Sequence, residues 1–150
     1  MESDEIRRTL RKADRAEAAP WIDYPPTPRW YPFAVGTWAA LLTLVLAELE
    51  DATRMAGAVG LIAIELAFLR WYVGYRGGVM PTGSAPREFR AAILCFVLTA
   101  AAIVLGATAL VANVATWAAV VFVLVAVTLG IGWYERVYAG AAARARTRLA

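Results

Sequence analysis

Histidine is absent from the 150-residue sequence, and cysteine occurs once, at Cys95. Zinc, haem and iron–sulfur sites are built from histidines or from several cysteines, so the usual ligand patterns for these groups are missing. Serine occurs only at Ser3 and Ser84. A serine or cysteine nucleophile usually needs a histidine as its base. We therefore expect that the protein is not an enzyme and that it binds no metal and no cofactor.

Charge is also scarce, because 18% of the residues are charged and 61% are hydrophobic. Soluble domains have only about 45 to 50% apolar residues. The composition predicts a polytopic membrane protein. Its net charge of +3 comes from basic residues scattered beside apolar segments, not gathered on one polar domain. Anionic lipid headgroups are therefore the expected partner, and nucleic acid is not.

Four segments are long and apolar enough to cross a bilayer. The first is uncharged from Trp30 to Ala47, and at about 1.5 Å per residue it just spans a hydrocarbon core of about 30 Å. The uncharged run from Ala91 to Tyr134 is long enough to span twice, with Asn113 at the expected turn. The sequence predicts an all-α protein with a compact bundle of four transmembrane helices, near 30–48, 55–75, 91–112 and 115–134.

The expected transmembrane domain, 30–134, has a segment on each side of it. Residues 1–29 should form a short amphipathic helix that ends at Pro20, followed by a semi-rigid connector rich in proline. This helix either lies solvated at the surface or docks on a partner. Residues 135–150 form a basic, alanine-rich tail that should be helical. The tail carries four arginines that we expect to contact anionic lipid headgroups: Arg136, Arg144, Arg146 and Arg148.

The basic residues are unevenly placed along the chain. All but one of the 15 lysines and arginines lie in the two tails or near the loop between the second and third spans, and the exception is Arg54. Cytoplasmic loops and tails are enriched in lysine and arginine. We therefore expect a multi-pass protein of the cell (plasma) membrane with both termini in the cytoplasm. Tryptophans and tyrosines near the ends of the spans should form an inner interfacial belt.

Glu65 is the acidic residue nearest the centre of a predicted span. A charged carboxylate there costs about 2.5 to 3.5 kcal/mol and by default indicates a functional site. Arg70 follows by five residues, so it does not form the favourable pair of residues four apart. When the spans are aligned by depth, Thr43, Thr99 and Thr128 lie closest to this level, which predicts a polar site within the membrane. A structural contact, a proton or cation site and a contact with a partner protein are all compatible with it.

The second span has two distinct faces. One carries small residues and the other carries the carboxylate: Ala56, Gly60, Ala63, Ala67 and Gly74 against Ala58, Leu61, Glu65, Phe68 and Tyr72. Small residues allow helices to approach closely in lipid. The pattern predicts that this helix is central in the bundle or shared with another subunit, so the protein should be a homo-oligomer or part of a larger membrane complex.

The two ends of the chain carry a resemblance to a known group. The segments RRTLRKADRAEAAPWIDYPPTPRWYP and WYERVYAGAAARARTRLA resemble uncharacterised four-helix membrane proteins of high-GC actinobacteria. The resemblance implies the fold and this kind of source, and it implies no activity. From the residues we expect a non-enzymatic accessory or assembly subunit that acts through its helices and tails. The alternative is a small oligomeric transporter or channel, linked to protons or cations, that uses Glu65.

Overall fold

The structure is a computed structural model that describes residues 2–23, 27–75 and 85–149. Residues 24–26 of the proline-rich connector and residues 76–84 between the second and third spans lie outside the described part. Five helices follow one another along the chain: α1 Glu2–Ile22, α2 Tyr31–Glu48, α3 Asp51–Tyr75, α4 Arg87–Asn113 and α5 Thr116–Leu149. Helices α2 to α5 are each long and apolar enough to cross a membrane. The prediction of an all-α protein is confirmed, and the described residues include four helices that could be the four predicted spans.

Helices α2 and α3 are joined by a turn of only two residues. Asp51 has a left-handed φ of 43°, which reverses the chain at once. The Oγ1 of Thr53 and the Nε of Arg54 then donate hydrogen bonds of 2.6 Å each to the carbonyl oxygens of Glu50 and Leu49. Because these bonds satisfy backbone groups of the turn, α3 begins at Asp51, four residues before the expected start of the second span.

Helices α4 and α5 are joined by a turn directly after Asn113. The backbone N–H groups of Val114 and Ala115 both donate to the carbonyl oxygen of Leu110. The Nδ2 of Asn113 donates to the carbonyl oxygen of Ala109 at 2.8 Å. Together these bonds satisfy carbonyl groups that the end of a helix leaves unpaired, so the long apolar run is divided by a very short turn.

Helix α1 continues through Pro20, so the expectation that Pro20 ends it is wrong. Proline lacks the N–H that a helix interior requires. Near a C-terminus, however, only one backbone bond is lost, and the amide of Asp23 still donates to the carbonyl oxygen of Ala19 at 2.9 Å. The last residue of the helix, Ile22, is buried. Packing against other helices therefore outweighs the local cost of the proline.

The four long helices form a row in the order α3, α2, α5, α4. Helix α5 makes extensive contacts with both α2 and α4, whereas the main partner of α3 among the described residues is α2. The row differs from the expected compact bundle, and α3 lies at one end of it and not at the centre. The other alternative, that this helix is shared with another subunit, stays a prediction. Composition could not distinguish these arrangements, because lipid covers apolar helix surface as readily as a neighbouring helix does.

Glycines mark the closest approaches between the packed helices. A Cβ at Gly36 of α2 would overlap Thr128 Oγ1 and would lie 2.9 Å from the carbonyl oxygen of Leu124 on α5. A Cβ at Gly106 of α4 would lie 2.9 Å from the ring of Phe122 on α5. At Gly36 only glycine permits the two backbones to come this close, whereas at Gly106 the neighbour is a side-chain ring. Gly57 of α3 is equally close to α2, since a Cβ there would lie 2.8 Å from Val45 Cγ1, so close contacts join α5 to α2 and α4 and also join α3 to α2.

Helix α5 passes beyond the last apolar residue of its span without a break. Its 34 residues extend about 51 Å, well beyond a hydrocarbon core of about 30 Å. The basic C-terminal segment is thus a continuation of the membrane helix. Near this end it contacts α1, so both ends of the chain lie on the same side of the row. We call this the α1 side.

Candidate functional site

The two faces of α3 have different surroundings. The face with Leu61, Glu65, Phe68 and Tyr72 is half-buried or buried, and it packs against α2. The small-residue face is exposed, and a Cβ added at Gly60 would meet no atom within 4 Å. The carboxylate of Glu65 is therefore on the side of α3 that faces the protein, while the face suited to close helix packing has no neighbour among the described residues.

The depth of Glu65 follows from the contacts between α2 and α3. Trp38 of α2 is level with Leu61, and Tyr31 is level with Phe68, so Glu65 is level with residues near 34. This is only about one turn from the start of α2. Thr43 lies about 13 Å further along the helix axis, at 1.5 Å per residue. The two side chains are thus separated by depth.

The three threonines expected beside Glu65 lie elsewhere in the row. Thr128 is on α5, on the opposite side of α2 from α3, and its Oγ1 donates to the carbonyl oxygen of Leu124 at 2.7 Å. The Oγ1 of Thr43 donates to the carbonyl oxygen of Ala39 at 2.9 Å. Thr43 and Thr99 line the same groove, described below, and Glu65 does not. The structure brings two of the four predicted residues together.

Glu65 has no hydrogen bond or ion pair with any residue that the structure describes. Arg70, on the same helix, is exposed and also makes no ion pair within the described part of the chain. In that part, no group of three histidine, cysteine, aspartate or glutamate side chains is placed to hold a metal ion. The role of Glu65 as a polar site within the membrane remains a prediction.

Trp38 provides the polar link between α2 and α3. Its Nε1–H donates a hydrogen bond of 3.0 Å to the carbonyl oxygen of Leu61. This carbonyl lies in a helix interior, where it also accepts the ordinary backbone bond, so the indole uses its second lone pair. The sequence carries no signal for this contact, because Trp38 and Leu61 lie 23 residues apart on different helices.

An apolar groove of about 650 Å³ runs along one face of the row. Its floor is the 123–134 part of α5, and its walls are the 35–47 part of α2 and the 96–112 part of α4. It exists because α2 and α4 pack on different sides of α5. Its lining includes four residues with hydroxyl groups, Thr43, Thr99, Thr108 and Tyr134. The hydroxyls of Thr43 and Thr108 are hydrogen-bonded within their own helices.

Aromatic residues gather on the α1 side in two clusters. One joins the start of α2 to the end of α3: Trp30, Tyr31, Phe68, Trp71, Tyr72 and Tyr75. The other joins α1, α4 and α5: Trp21, Phe89, Phe96, Tyr134 and Tyr138. Aromatic side chains are favoured at membrane interfaces. Their positions are those expected for an interfacial belt, and the contacts show that the belt also ties the helices together.

The best-buried part of the protein is a cluster outside the apolar spans, which we call the terminal cluster. It contains Ala18 and Ile22 of α1, Phe89 of α4, and Ala141, Ala142 and Ala145 of α5. The side chain of Phe89 is fully buried. The alanines let α1 lie close to α5, while Phe89 fills the space between three helices. The N-terminal helix α1, with 21 residues, is thus docked within its own chain through its C-terminal end.

Two side chains of α5 bind the C-terminal carbonyl groups of α1. Tyr138 donates its hydroxyl to the carbonyl oxygen of Trp21 at 2.8 Å, and Arg146 donates Nη2 to the carbonyl oxygen of Ile22 at 2.7 Å. The last carbonyl groups of a helix have no partners within it and carry partial negative charge. A cation and a hydroxyl therefore serve as the C-terminal cap of α1.

Glu88 and Arg148 connect α4 to the end of α5. The Nε of Arg148 lies 2.6 Å from Oε1 of Glu88, whose side chain is only 10% exposed, and Arg87 contacts the same oxygen at 3.2 Å. Desolvation alone would raise the pKa of Glu88. Hydrogen bonds from its own backbone N–H and from Arg148 and Arg87 outweigh this and lower the pKa below its ordinary value of 4.5.

The four arginines of the C-terminal segment have different environments. Arg136 and Arg144 are exposed and form no ion pair within the described residues, whereas Arg146 and Arg148 make the contacts just described. Contact of all four with lipid headgroups stays a prediction, and the last two would have to exchange or share their protein partners. The spacing of Tyr138, Ala141 and Ala145, three and four residues apart, was the sequence signal for a buried helix face here.

No known protein family, curated protein or solved structure matches this chain. The suggested resemblance to four-helix membrane proteins therefore has support only in the fold. Four helices of sufficient length and hydropathy, joined by turns or loops, define a small multi-pass membrane protein.

Proposed function

We propose that the protein is a non-enzymatic accessory or assembly subunit of the cell membrane, acting through helix contacts and its terminal segments. The observation that carries this proposal is the open row of helices. A small-residue face on α3 normally allows another helix to approach closely, and here it has no neighbour within the described chain. In the proposed assembly, a helix of a second copy or of another membrane protein packs against this face.

We also propose that both termini lie in the cytoplasm. The support is the concentration of lysine and arginine in the tails and the middle loop. A second support is the contact between α1 and the end of α5, because it holds the two tails on the same side of the row of helices.

The test is to purify the full-length protein from its membrane in mild detergent and to measure its native mass and co-purifying partners. Gly60→Leu should dissociate the assembly because it adds bulk on the exposed small-residue face of α3. Val59→Leu is the matched control, since Val59 is an exposed neighbour that is already large. A monomeric wild type without partners, or equal effects of the two variants, would contradict the proposal.

Ion or proton flux into reconstituted vesicles tests the transport alternative. Flux that Glu65→Gln abolishes, with the fold and native mass unchanged, would replace the assembly role with transport, because an amide does not exchange a proton. The apolar groove gives the transport alternative little support. The polar side chains of its lining are threonines, tryptophans and Tyr134, and Glu65 lies outside it.

A further inference from the structure

The face of α5 that forms the floor of the apolar groove continues into the terminal cluster. Ile131 and Tyr134 line the groove. Tyr138, Ala141 and Ala145 follow them at intervals of three and four residues, which keep side chains on one face of a helix. In the terminal cluster this face packs against α1. Helix α1 therefore covers the floor of the groove directly beyond the end of the groove.

Helix α4 shows the same continuity. Phe96 lines the groove, while Ile93, three residues earlier and on the same side of the helix, packs against the terminal cluster. Phe89, about one turn earlier again, is fully buried in that cluster. The terminal cluster thus closes the groove at its α1 end. The side along which the groove is open lies within the apolar spans, so it faces the bilayer.

A continuous chain of ring contacts joins the lining of the groove to α1. It has centroid distances of 5.1, 6.0, 4.8 and 5.6 Å and runs through Phe96, Tyr134, Tyr138, Phe89 and Trp21. The first two rings line the groove, and the last belongs to α1. Closely packed side chains leave little free volume, so a displaced ring moves its neighbour. The position of α1 is therefore coupled to the α1 end of the groove.

Helix α1 is docked less extensively than the helices of the row. Among its described side chains, those of Ala18 and Ile22 are buried, whereas those of residues 12–17 are exposed. Its contact with α5 is much smaller than the contacts of α5 with α2 and α4. Segments with few buried apolar contacts open locally at a lower free energy than the rest of a protein. Helix α1 can therefore leave the terminal cluster while the row stays intact.

We propose that α1 is a releasable plug at the α1 end of the groove. While α1 is docked, the groove is open to the bilayer and is separated from the aqueous phase. When α1 leaves, the hydroxyl of Tyr138 loses the carbonyl group that it binds, and Phe89 loses its contact with the ring of Trp21. Water on the α1 side then reaches the end of the groove. This device does not involve the exposed face of α3, so it is independent of the proposed assembly role.

The test measures how fast a water-soluble reagent reaches the groove of the full-length protein in phosphatidylcholine nanodiscs. The reporter is Val35→Cys in a Cys95→Ala background, because Val35 lines the groove near the start of α2 and lies outside the chain of rings. The reagent is a charged methanethiosulfonate, which does not enter the bilayer. Ala18→Trp should expel α1, since Ala18 is 3% exposed, and modification should become about tenfold faster. Ala16→Trp is the matched control on the exposed side of α1.

A second variant, Ile22→Ser, releases α1 without added bulk, and hydrogen exchange of the 18–22 amides measures the release. A cysteine at Phe33, which is 61% exposed and does not line the groove, should react at one rate in all variants. The proposal is overturned if amide exchange rises without faster modification at Val35, or if exchange rises in neither variant. It is also overturned if Ala16→Trp has the same effect, or if the cysteine at Phe33 responds as strongly, since that would indicate general loosening.

Discussion

Arg146 donates a hydrogen bond of 2.7 Å to the carbonyl oxygen of Ile22, which joins residues 124 positions apart. Arg146→Ala should therefore loosen the end of α1. Hydrogen bonds to charged groups contribute about 1.5 to 3 kcal/mol when they are well formed. This bond is partly exposed, so we expect its removal to lower the stability of the docked end of α1 by about 1 kcal/mol. Hydrogen exchange of the 18–22 amides should become about fivefold faster. Arg144→Ala is the control, since Arg144 is exposed and has no ion pair in the described chain. Equal exchange in both variants would refute the capping role.

Gly36→Ala should destabilise the contact between α2 and α5. The new methyl group would overlap Thr128 Oγ1, and we expect a loss of about 1 to 3 kcal/mol from overpacking. Unfolding in graded mixtures of mild detergent and dodecyl sulfate measures this. Gly132→Ala is the control, because a Cβ at Gly132 of α5 meets no atom within 4 Å. The double variant Gly36→Ala, Thr128→Ala should recover part of the loss, and a double variant as unstable as Gly36→Ala would show that the overlap is not the cause.

Trp38→Phe should separate α3 from α2 while it keeps the aromatic ring. The variant lacks the N–H that binds the carbonyl oxygen of Leu61, and hydrogen bonds between membrane helices contribute about 0.6 kcal/mol on average. Distances between spin labels at the exposed positions Leu41 and Leu66 should become more widely distributed. Trp117→Phe should leave them unchanged, because Trp117 is 68% exposed at the start of α5. Identical distance distributions in wild type and Trp38→Phe would contradict the prediction.

Acid should weaken the link between α4 and α5 through Glu88. Its pKa is lowered in the folded protein, so its ion pair contributes full stability above the ordinary value of 4.5. That contribution is lost as the pH falls through the lower, folded pKa. Melting curves between about pH 3 and 7 should show this loss in wild type but not in Glu88→Gln, which should be less stable at neutral pH. Glu48→Gln, an exposed residue at the end of α2, should keep the wild-type profile. A pH profile unchanged by Glu88→Gln would remove the ion pair as its cause.

Reporter fusions test the proposed topology directly. A reporter that is active only outside the cytoplasm should work when fused near Asp51 or Asn113, and it should fail at the C-terminus. The basis is the enrichment of lysine and arginine at the tails and middle loop. Activity at the C-terminus, with none near Asp51, would invert the orientation.

Much of the fold could be predicted from the sequence, because membrane spans depend on length and composition. The uncharged segments beginning at Trp30 and Ala91 and the turn after Asn113 are properties of local sequence. The order of the helices in the row is not, since in lipid an apolar helix face is satisfied equally by lipid and by protein. The predicted cluster around Glu65 failed for this reason. Aligning Glu65 with Thr43 by distance from the span ends ignored the early start of α3 at Asp51, which places the carboxylate closer to the α1 side.

The terminal cluster escaped prediction for a different reason. The sequence predicts only lipid headgroup contacts for Arg146 and Arg148, because their protein partners, the carbonyl of Ile22 and the carboxylate of Glu88, lie more than 50 residues away in sequence. Contacts of that separation leave no periodic signal. The small residues of this segment, such as Ala141 and Ala145, are the one sequence feature that could have indicated a buried face.

Because α5 is unbroken, it connects the bilayer rigidly to the terminal cluster. About 22 Å of the helix lies beyond Tyr134, so a tilt of about 10° within the membrane moves its far end sideways by roughly 4 Å. Helix tilt responds to the thickness of the surrounding bilayer. Ile22 is bound to Arg146 near this end, so the C-terminal end of α1 moves together with the end of α5. A change in bilayer thickness would thereby shift the position of α1, which lies outside the apolar layer.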